Sequence, residues 1–91
     1  MTEFRLKNPS EGLKYQLIFD GGSRGNPGPA YGSYRFKQAS EKARHPVRLD
    51  LGRGTNNEAE YRTLIKALED LIRELAQAGI DPGLVQLEVF G

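Results

Sequence analysis

Residues 15 to 29 read YQLIFDGGSRGNPGP, an apolar run that ends in an aspartate and continues into a segment dense in glycine and proline. The run from Tyr15 to Asp20 is rich in aromatic and branched side chains, which favours a β-strand. Its apolar residues fall on both faces, with Ile18 opposite Leu17, as is typical of a central strand covered on both sides. Four glycines and two prolines among residues 21 to 29 predict a shaped loop without regular structure.

The segments on the C-terminal side of this loop predict three further strands. Tyr31 to Gln38 alternates apolar and polar side chains, which indicates a half-exposed antiparallel strand. Val47 to Leu51 repeats the alternation after a polar connection, so we expect a third strand there. The alternation over Val85 to Val89 predicts a last strand at the end of the chain.

The segment from Thr55 to Ala78 carries the signature of an amphipathic helix. Thr55 and Glu58 have the spacing of a capping box, and leucines follow at intervals of three and four residues. Gly79 is placed to end the helix. A right-handed crossover after the third strand sets the fourth strand parallel to the first, on its free side. The sequence therefore predicts an α/β fold with a mixed sheet in the strand order 3-2-1-4 and one helix on one face.

Composition limits the classes of protein to which the chain can belong. It has 91 residues, a net charge of +1 and no cysteine. This length allows one domain, and the absence of cysteine excludes disulfides, thiolate zinc sites and cysteine nucleophiles. No apolar run approaches the roughly 18 residues of a membrane-spanning helix, so we expect a cytoplasmic protein without membrane contact. Residues 1 to 13 are polar and predict a loose arm ahead of a domain over residues 14 to 91.

Two carboxylates are candidates for a functional site. At 100° per residue, Glu60 lies about 40° from Leu64 and about 20° from Leu71, which predicts that it points toward the core. Asp20 ends the central strand on the face of Ile18, which we expect to be the face under the helix. Two carboxylates about 4 Å apart repel by about 4 kcal/mol at an effective dielectric constant of 20. A cation between them offsets this repulsion, and a site built only of oxygen ligands favours Mg²⁺ or Mn²⁺ over zinc.

The same two acids also have a purely structural interpretation. In this alternative, Asp20 caps the glycine-rich turn and Glu60 pairs with a nearby arginine such as Arg24. Spacing alone does not separate the two interpretations. Two acids are also too few for a complete two-metal hydrolytic site.

The predicted sheet leaves two surfaces without a cover. Tyr15, Leu17 and Phe19 share the strand face away from Asp20, while the helix is assigned to the other face. Three segments could cover the face of Leu17: the N-terminal arm, a second copy of the chain, or further sequence. The last strand also has an unpaired edge, which invites pairing with another chain, so a homodimer through this edge is one expectation.

Three segments together closely resemble the ribonuclease H family, in its bacterial and archaeal type-1-like branch. They are FDGGSRGNPGPAYGSY at 19 to 34, GTNNEAEYRTLIKAL at 54 to 68 and LEVFG at 87 to 91. Their order and positions agree with the family from Tyr15 to Gly91. The resemblance implies a ribonuclease H-like fold and metal-dependent endonucleolytic hydrolysis of the RNA strand of an RNA-DNA hybrid.

The resemblance also implies roles for particular residues. The aspartate that opens the DG loop and the second acid of the NNxxE segment are metal ligands in the family, which corresponds here to Asp20 and Glu60, with Gly21 beside them. The implied cofactor is Mg²⁺, with Mn²⁺ as a substitute, and the implied partner is an RNA-DNA hybrid. Substrate contacts are implied for Gly22, Ser23, Arg24, Asn26, Asn56 and Asn57. Asparagines in a turn and at a helix start also have an ordinary structural explanation.

The chain departs from the family pattern at its C-terminal side. In the family, an aspartate directly after the strand that matches Leu87 to Gly91 is the third metal ligand, and this sequence stops at Gly91. A fourth aspartate, a catalytic-loop histidine, a fifth strand and later helices are absent as well, so we expect the C-terminal part of the fold to be missing. The 91-residue chain itself is therefore expected to be inactive or very weak. The alternative is a non-catalytic module that binds hybrid or RNA, or that dimerises.

Overall fold

The computed structural model describes residues 13–38, 41–42 and 44–91, which form one four-stranded sheet and one long helix. The elements are β1 (Lys14–Ser23), β2 (Gly28–Gln38), β3 (Val47–Gly54), α1 (Asn56–Ala78), a 3-10 turn (Pro82–Leu84) and β4 (Gln86–Phe90). The strand order is β3-β2-β1-β4, with β1 antiparallel to β2 and parallel to β4. The predicted strand order is confirmed. The predicted arm lies, apart from Leu13, outside the described residues, and no described helix is long and apolar enough to cross a membrane.

The glycine-rich segment is more regular than its composition predicts. β1 continues through Gly21 and Gly22 to Ser23, and β2 begins at Gly28, so the irregular stretch is confined to residues 24 to 27. In the ladder between β1 and β2, Gly21 pairs with Gly32. The prediction of a loop without regular structure across residues 21 to 29 is therefore wrong at both ends. Ladder hydrogen bonds use backbone groups alone, so glycine supports them when a neighbouring strand is present.

The helix begins at the predicted capping box. Thr55 Oγ1 accepts a hydrogen bond from the backbone nitrogen of Glu58 at 3.1 Å, and Glu58 Oε1 accepts one from the backbone nitrogen of Thr55 at 2.8 Å. The helix ends at Gly79, whose φ of 72° lies in the left-handed region that favours glycine. The carboxylate of Glu58 is thereby engaged in capping, as the spacing predicts.

The helix packs on the sheet face that carries Tyr15 and Leu17. These side chains are 3% and 0% exposed and form one cluster with Leu71 and Leu75 of α1. The expectation that α1 covers the face of Ile18 and Asp20, and that the Leu17 face needs another cover, is therefore wrong. The helix itself is the cover for the Leu17 face.

Two glycines explain why the helix packs on this face. Gly21 lies on the same face of β1 as Leu17, because strand residues two apart share a face. A Cβ at Gly21 would stand 2.7 Å from the carbonyl oxygen of Ala59, and a Cβ at Gly32 would overlap the side chain of Thr63. Gly21 and Gly32 are ladder partners, so they form a strip without side chains under the first turns of α1. Ala59 and Thr63, both 0% exposed, pack into that strip.

The opposite face of the sheet carries no helix among the residues that the structure describes. It presents Gln16, Ile18 and Asp20 of β1, which alternate with the buried residues of the Leu17 face. β4 lies at the edge of the described sheet, as the sequence predicts. Its residues Val89 and Phe90 are 47% and 49% exposed. This edge is therefore both open and partly apolar.

Candidate metal and nucleic-acid site

The candidate site lies where the end of β1 meets the start of α1. Asp20 directly precedes Gly21, and a Cβ at Gly21 would stand 2.9 Å from the backbone nitrogen of Glu60. Since consecutive α-carbons are about 3.8 Å apart, Asp20 and Glu60 stem from adjoining parts of the backbone. The structure thus places the backbone of Asp20 close to the backbone of Glu60, at one corner of the molecule.

Both acidic residues are exposed at this corner. The prediction that Glu60 points into the core is therefore wrong, although its angular position is on the sheet side of α1. The first turns of the helix stand over the glycine strip and not over large side chains, so no bulky group encloses the carboxylate. An exposed pair of carboxylates is open to ligands from solvent.

The structural interpretation of these two acids finds no support in the geometry. The ion pairs between described residues join Arg44 to Glu41 and Glu74, and Asp70 to Lys66 and Arg73. None of them joins Glu60 to Arg24, which is itself exposed. Within the described ranges, the carboxylate of Asp20 also makes no hydrogen bond that would cap the turn.

Reciprocal hydrogen bonds tie the loop after β1 to the start of α1. Asn56 Oδ1 accepts from the backbone nitrogen of Ser23 at 2.8 Å and from the Ser23 hydroxyl at 3.3 Å. Asn26 Oδ1 accepts from the backbone nitrogen of Asn56 at 3.0 Å. The loop is closed by a hydrogen bond of 2.9 Å from the Arg24 nitrogen to the Pro29 carbonyl oxygen. The side-chain oxygens of two predicted substrate residues, Asn26 and Asn56, are thus engaged within the protein.

The remaining predicted substrate residues lie around these hydrogen bonds between the loop and the helix. Arg24 and Asn57 are exposed, and their side chains make no hydrogen bond or ion pair with the described part of the chain. Gly22 is buried on the face away from the helix, where a Cβ would stand 2.7 Å from the hydroxyl oxygen of Tyr31. The sequence does not mark Tyr31 as part of this corner, because the alternating pattern identifies it only as a strand residue.

A shallow groove of about 410 Å³ adjoins the corner along the outer side of α1. Arg53 and Arg62 give it positive charge, and Tyr61, which is 70% exposed, gives it an aromatic surface next to Asn57. The sequence analysis does not identify these residues as candidates, because an arginine or a tyrosine near a helix start is common. Arginine beside an exposed aromatic ring is a combination that nucleic-acid backbones and bases can contact.

Asp20 and Glu60 supply two carboxylates at this corner, which are too few for a pair of metal ions. Among the described residues, no group of three or more His, Cys, Asp or Glu could hold a metal ion. Glu58 is the nearest further acid along α1, and its carboxylate is engaged in capping. Asp20 and Glu60 offer oxygen ligands, and Mg²⁺ is usually held by one or two carboxylates, with water and substrate phosphate completing its shell.

Known proteins resemble this chain over most of its length. Ribonuclease HI of Halobacterium salinarum is 43% identical over 83 residues, which are 91% of this chain and 38% of that protein. The chain belongs to the ribonuclease H family. The bifunctional protein Rv2228c of Mycobacterium tuberculosis is 44% identical over 62 residues, which are 67% of this chain and 17% of that protein. No protein-family model matches the chain.

Solved ribonuclease H structures share the fold of the chain. LC11-RNase H1, isolated from compost by a metagenomic approach, was solved in complex with an RNA/DNA hybrid. That structure is 37% identical with a TM-score of 0.69, and the match covers 82% of this chain and 51% of that one. The chain therefore spans about half the length of this ribonuclease H structure and a smaller share of the curated relatives. The ribonuclease H-like fold predicted from the motifs is confirmed.

Proposed function

We propose that this chain supplies the Asp20 and Glu60 corner of a domain that hydrolyses the RNA strand of RNA-DNA hybrids in a metal-dependent reaction. The observation that carries the proposal is the close approach of the backbone beside Asp20 to the backbone of Glu60, both exposed acids, in a chain of the ribonuclease H family. The relative solved with an RNA/DNA hybrid supports the hybrid as the substrate class.

The cofactor that this donor set favours is Mg²⁺, with Mn²⁺ as a substitute. Asp20 and Glu60 would hold the ion through carboxylate oxygens, with Gly21 keeping the backbone spacing between them. A divalent cation in such a site activates water and neutralises charge on the phosphate that is attacked. Without a cation, two carboxylates at this corner would repel the phosphates of a substrate.

The predicted substrate residues would line the approach to these carboxylates. Arg24 is suited to a phosphate, because arginine is the residue most able to bind its oxygens through paired donors. Asn57 offers an exposed amide at the helix start for sugar or base-edge atoms. Gly22 and Ser23 leave the loop backbone without bulk next to Asp20. The predicted role of Asn26 and Asn56 in substrate contact rests on their amide nitrogens, since their oxygens are engaged.

The register of β4 supports a position for a further acid that would complete the site. Ile18 pairs with Phe90 in the parallel ladder between β1 and β4. Two more steps of this register would place a residue directly after Gly91 beside Asp20. An aspartate in that place would give a set of three carboxylates. Residues 1 to 91 alone hold two, which is why we expect them to cleave hybrid weakly or not at all.

A chimeric protein tests the proposed function. Residues 1 to 91 are joined to the part of the Halobacterium ribonuclease HI that follows its aligned region, and cleavage of a labelled RNA-DNA hybrid is measured with Mg²⁺. We expect hydrolysis of the RNA strand that is lost in both Asp20→Asn and Glu60→Gln, while Glu69→Gln on the exposed side of α1 retains it. A folded chimera that does not cleave, or cleavage that survives either substitution, would contradict the proposal.

The open edge of β4 favours a second candidate, a non-catalytic module that binds hybrid or RNA or forms a homodimer. Val89 and Phe90 are about half exposed on an edge strand, and such a strand pairs readily with another strand. In a homodimer, two copies of β4 would pair around a twofold axis. Analytical ultracentrifugation should then show a dimer that Val89→Lys converts to a monomer, whereas a monomeric wild type would rule the dimer out. Salt-dependent binding of hybrid by a chimera that fails to cleave would support the binding module.

A further inference from the structure

The hydrogen bonds around Asn56 connect the two backbone segments that carry the candidate carboxylates. Asp20 lies three residues before Ser23, and Glu60 lies four residues after Asn56. The bond of 2.8 Å from the Ser23 nitrogen to Asn56 Oδ1 therefore forms a short bridge between the end of β1 and the start of α1. The bond of 3.0 Å from the Asn56 nitrogen to Asn26 Oδ1 runs in the opposite direction across the same junction.

This bridge satisfies donors at the ends of both elements. The first backbone N–H groups of a helix have no acceptor within the helix, and Asn26 Oδ1 provides one for Asn56. The N–H of Ser23, the last residue of β1, is satisfied by Asn56 Oδ1. Because Ser23 offers a backbone donor here, the amide atom of Asn56 that faces it must be the oxygen. Asn26, which follows β1, thus caps the start of α1, and Asn56, in α1, caps the end of β1.

We propose that Asn56 is a positioning residue whose Oδ1 holds the loop against α1 and thereby sets the spacing of Asp20 and Glu60 for a shared divalent cation. This role rests on the proposed function of the two carboxylates. Asn26 acts in the same way from the loop side. The amide of Asn56 then has two separable parts, an oxygen that binds the protein and a nitrogen that is left for a substrate acceptor.

The packing of β1 on α1 gives the bridge a defined place. Gly21 fixes the closest approach of the two backbones, but residues 24 to 27 after β1 have no ladder partners of their own. The bridge adds side-chain hydrogen bonds between the end of β1, this loop and the helix start. Groups that orient metal ligands from outside commonly change metal affinity by about 10- to 100-fold when they are removed. We therefore expect an effect of about tenfold or more from loss of the Oδ1 acceptor.

Two substitutions at position 56 separate the oxygen from the nitrogen. Asn56→Asp keeps an acceptor oxygen and removes the amide donor, whereas Asn56→Ala removes both. Gln77→Ala is the control, because Gln77 is an exposed amide in the last turn of α1 whose side chain makes no hydrogen bond to the described residues. Mn²⁺ affinity is measured from the broadening of the Gly21 and Glu60 amide signals in NMR spectra. We expect Asn56→Ala to weaken Mn²⁺ binding by about tenfold or more, and Asn56→Asp and Gln77→Ala to leave it at least as tight as in the wild type.

Amide hydrogen exchange tests the bridge without a metal. Asn56→Ala should speed exchange at Ser23 while Leu17, in the core, keeps its protection, and Asn56→Asp should restore the protection of Ser23. Unchanged Mn²⁺ affinity in Asn56→Ala, beside a wild type that binds the ion, would overturn the positioning role alone. A wild type that binds no Mn²⁺ at Gly21 and Glu60 would overturn the proposed function and the positioning role with it. An Asn56→Asp variant that behaves like Asn56→Ala would overturn the assignment to the oxygen.

Discussion

A methyl group at position 21 tests how closely β1 and α1 must approach for the site to form. In the structure, an alanine Cβ there would lie 2.7 Å from the oxygen and 2.8 Å from the carbon of the Ala59 carbonyl, and 2.9 Å from the nitrogen of Glu60. Ordinary contacts begin at about 3.4 Å, so the start of the helix must move by about 0.7 Å. All three neighbours are backbone atoms, so no side-chain rotation relieves the clash.

The expected cost of Gly21→Ala follows from two opposing effects. Overpacking of this kind typically costs about 1–3 kcal/mol. Replacement of glycine also restricts the unfolded chain, which stabilises the fold by about 0.4–1 kcal/mol. Gly83→Ala is the matched control, because its nearest neighbour is the exposed Asp81 side chain at 3.3 Å, which can give way. The difference between the two variants therefore isolates the clash at position 21.

Urea unfolding followed by circular dichroism measures that difference. We expect Gly21→Ala to have a free energy of unfolding about 1–3 kcal/mol below that of Gly83→Ala. For a domain of this size, each kcal/mol corresponds to about 4–8 °C in Tm. Equal stability of the two variants would refute the close approach of β1 to α1, and with it the physical reason for the meeting of Asp20 and Glu60.

Three further predictions concern the packing and the cap. Burial, together with the charge of Glu74, raises the pKa of Tyr15. The neutral side chain therefore contributes stability that is present below about pH 10 and is lost as the pH rises through the raised pKa of the folded state. Tyr15→Phe should therefore flatten the alkaline loss of stability in urea unfolding, and an unchanged slope would count against the raised pKa. Thr55→Ala removes the acceptor of the capping box and should cost about 0.5–2 kcal/mol in the same assay, whereas full stability would mean that the cap is dispensable. Gly32→Ala should be destabilising alone and partly rescued by Thr63→Ala, with a coupling of about 0.5–3 kcal/mol that strictly additive effects would disprove.

The order of the strands and the start of the helix could be predicted because both depend on local signals. The capping box needs only Thr55 and Glu58 at the right spacing, and the structure shows both of its hydrogen bonds. The parallel placement of β4 beside β1 follows from the handedness of the crossover, which hardly depends on side chains. The closeness of the backbone at Asp20 and Glu60 could also be predicted, because a central strand and the helix that crosses it must meet, but the predicted side of the sheet was wrong.

The choice of sheet face could not be predicted from hydrophobicity. β1 has apolar residues on both faces, so Ile18 and Leu17 give conflicting signals. The deciding feature is the pair Gly21 and Gly32, which become neighbours only when β1 and β2 pair in register. The same strip explains the exposed position of Glu60, since a helical wheel gives the direction of a side chain but not what lies beneath it.

The hydrogen-bonded bridge between the loop and the helix could not be predicted from the sequence either. Asn26 and Asn56 are 30 residues apart, and each is individually common in a turn or at a helix start. Their reciprocal hydrogen bonds depend on β1 continuing to Ser23, which the glycine content of the segment conceals. Long-range pairs of small polar residues leave no periodic pattern that a single sequence can reveal.

The sharing of one divalent cation by Asp20 and Glu60 can be measured directly by NMR titration of the 91-residue chain with Mn²⁺. The wild type, Asp20→Asn, Glu60→Gln and the control Glu69→Gln are compared. The broadening should begin at the amides of Gly21 and Glu60 in the wild type and in the control, and each single substitution at Asp20 or Glu60 should abolish it. Broadening that is centred elsewhere, or that persists at these amides when either carboxylate is removed, would show that the two acids do not form one metal site.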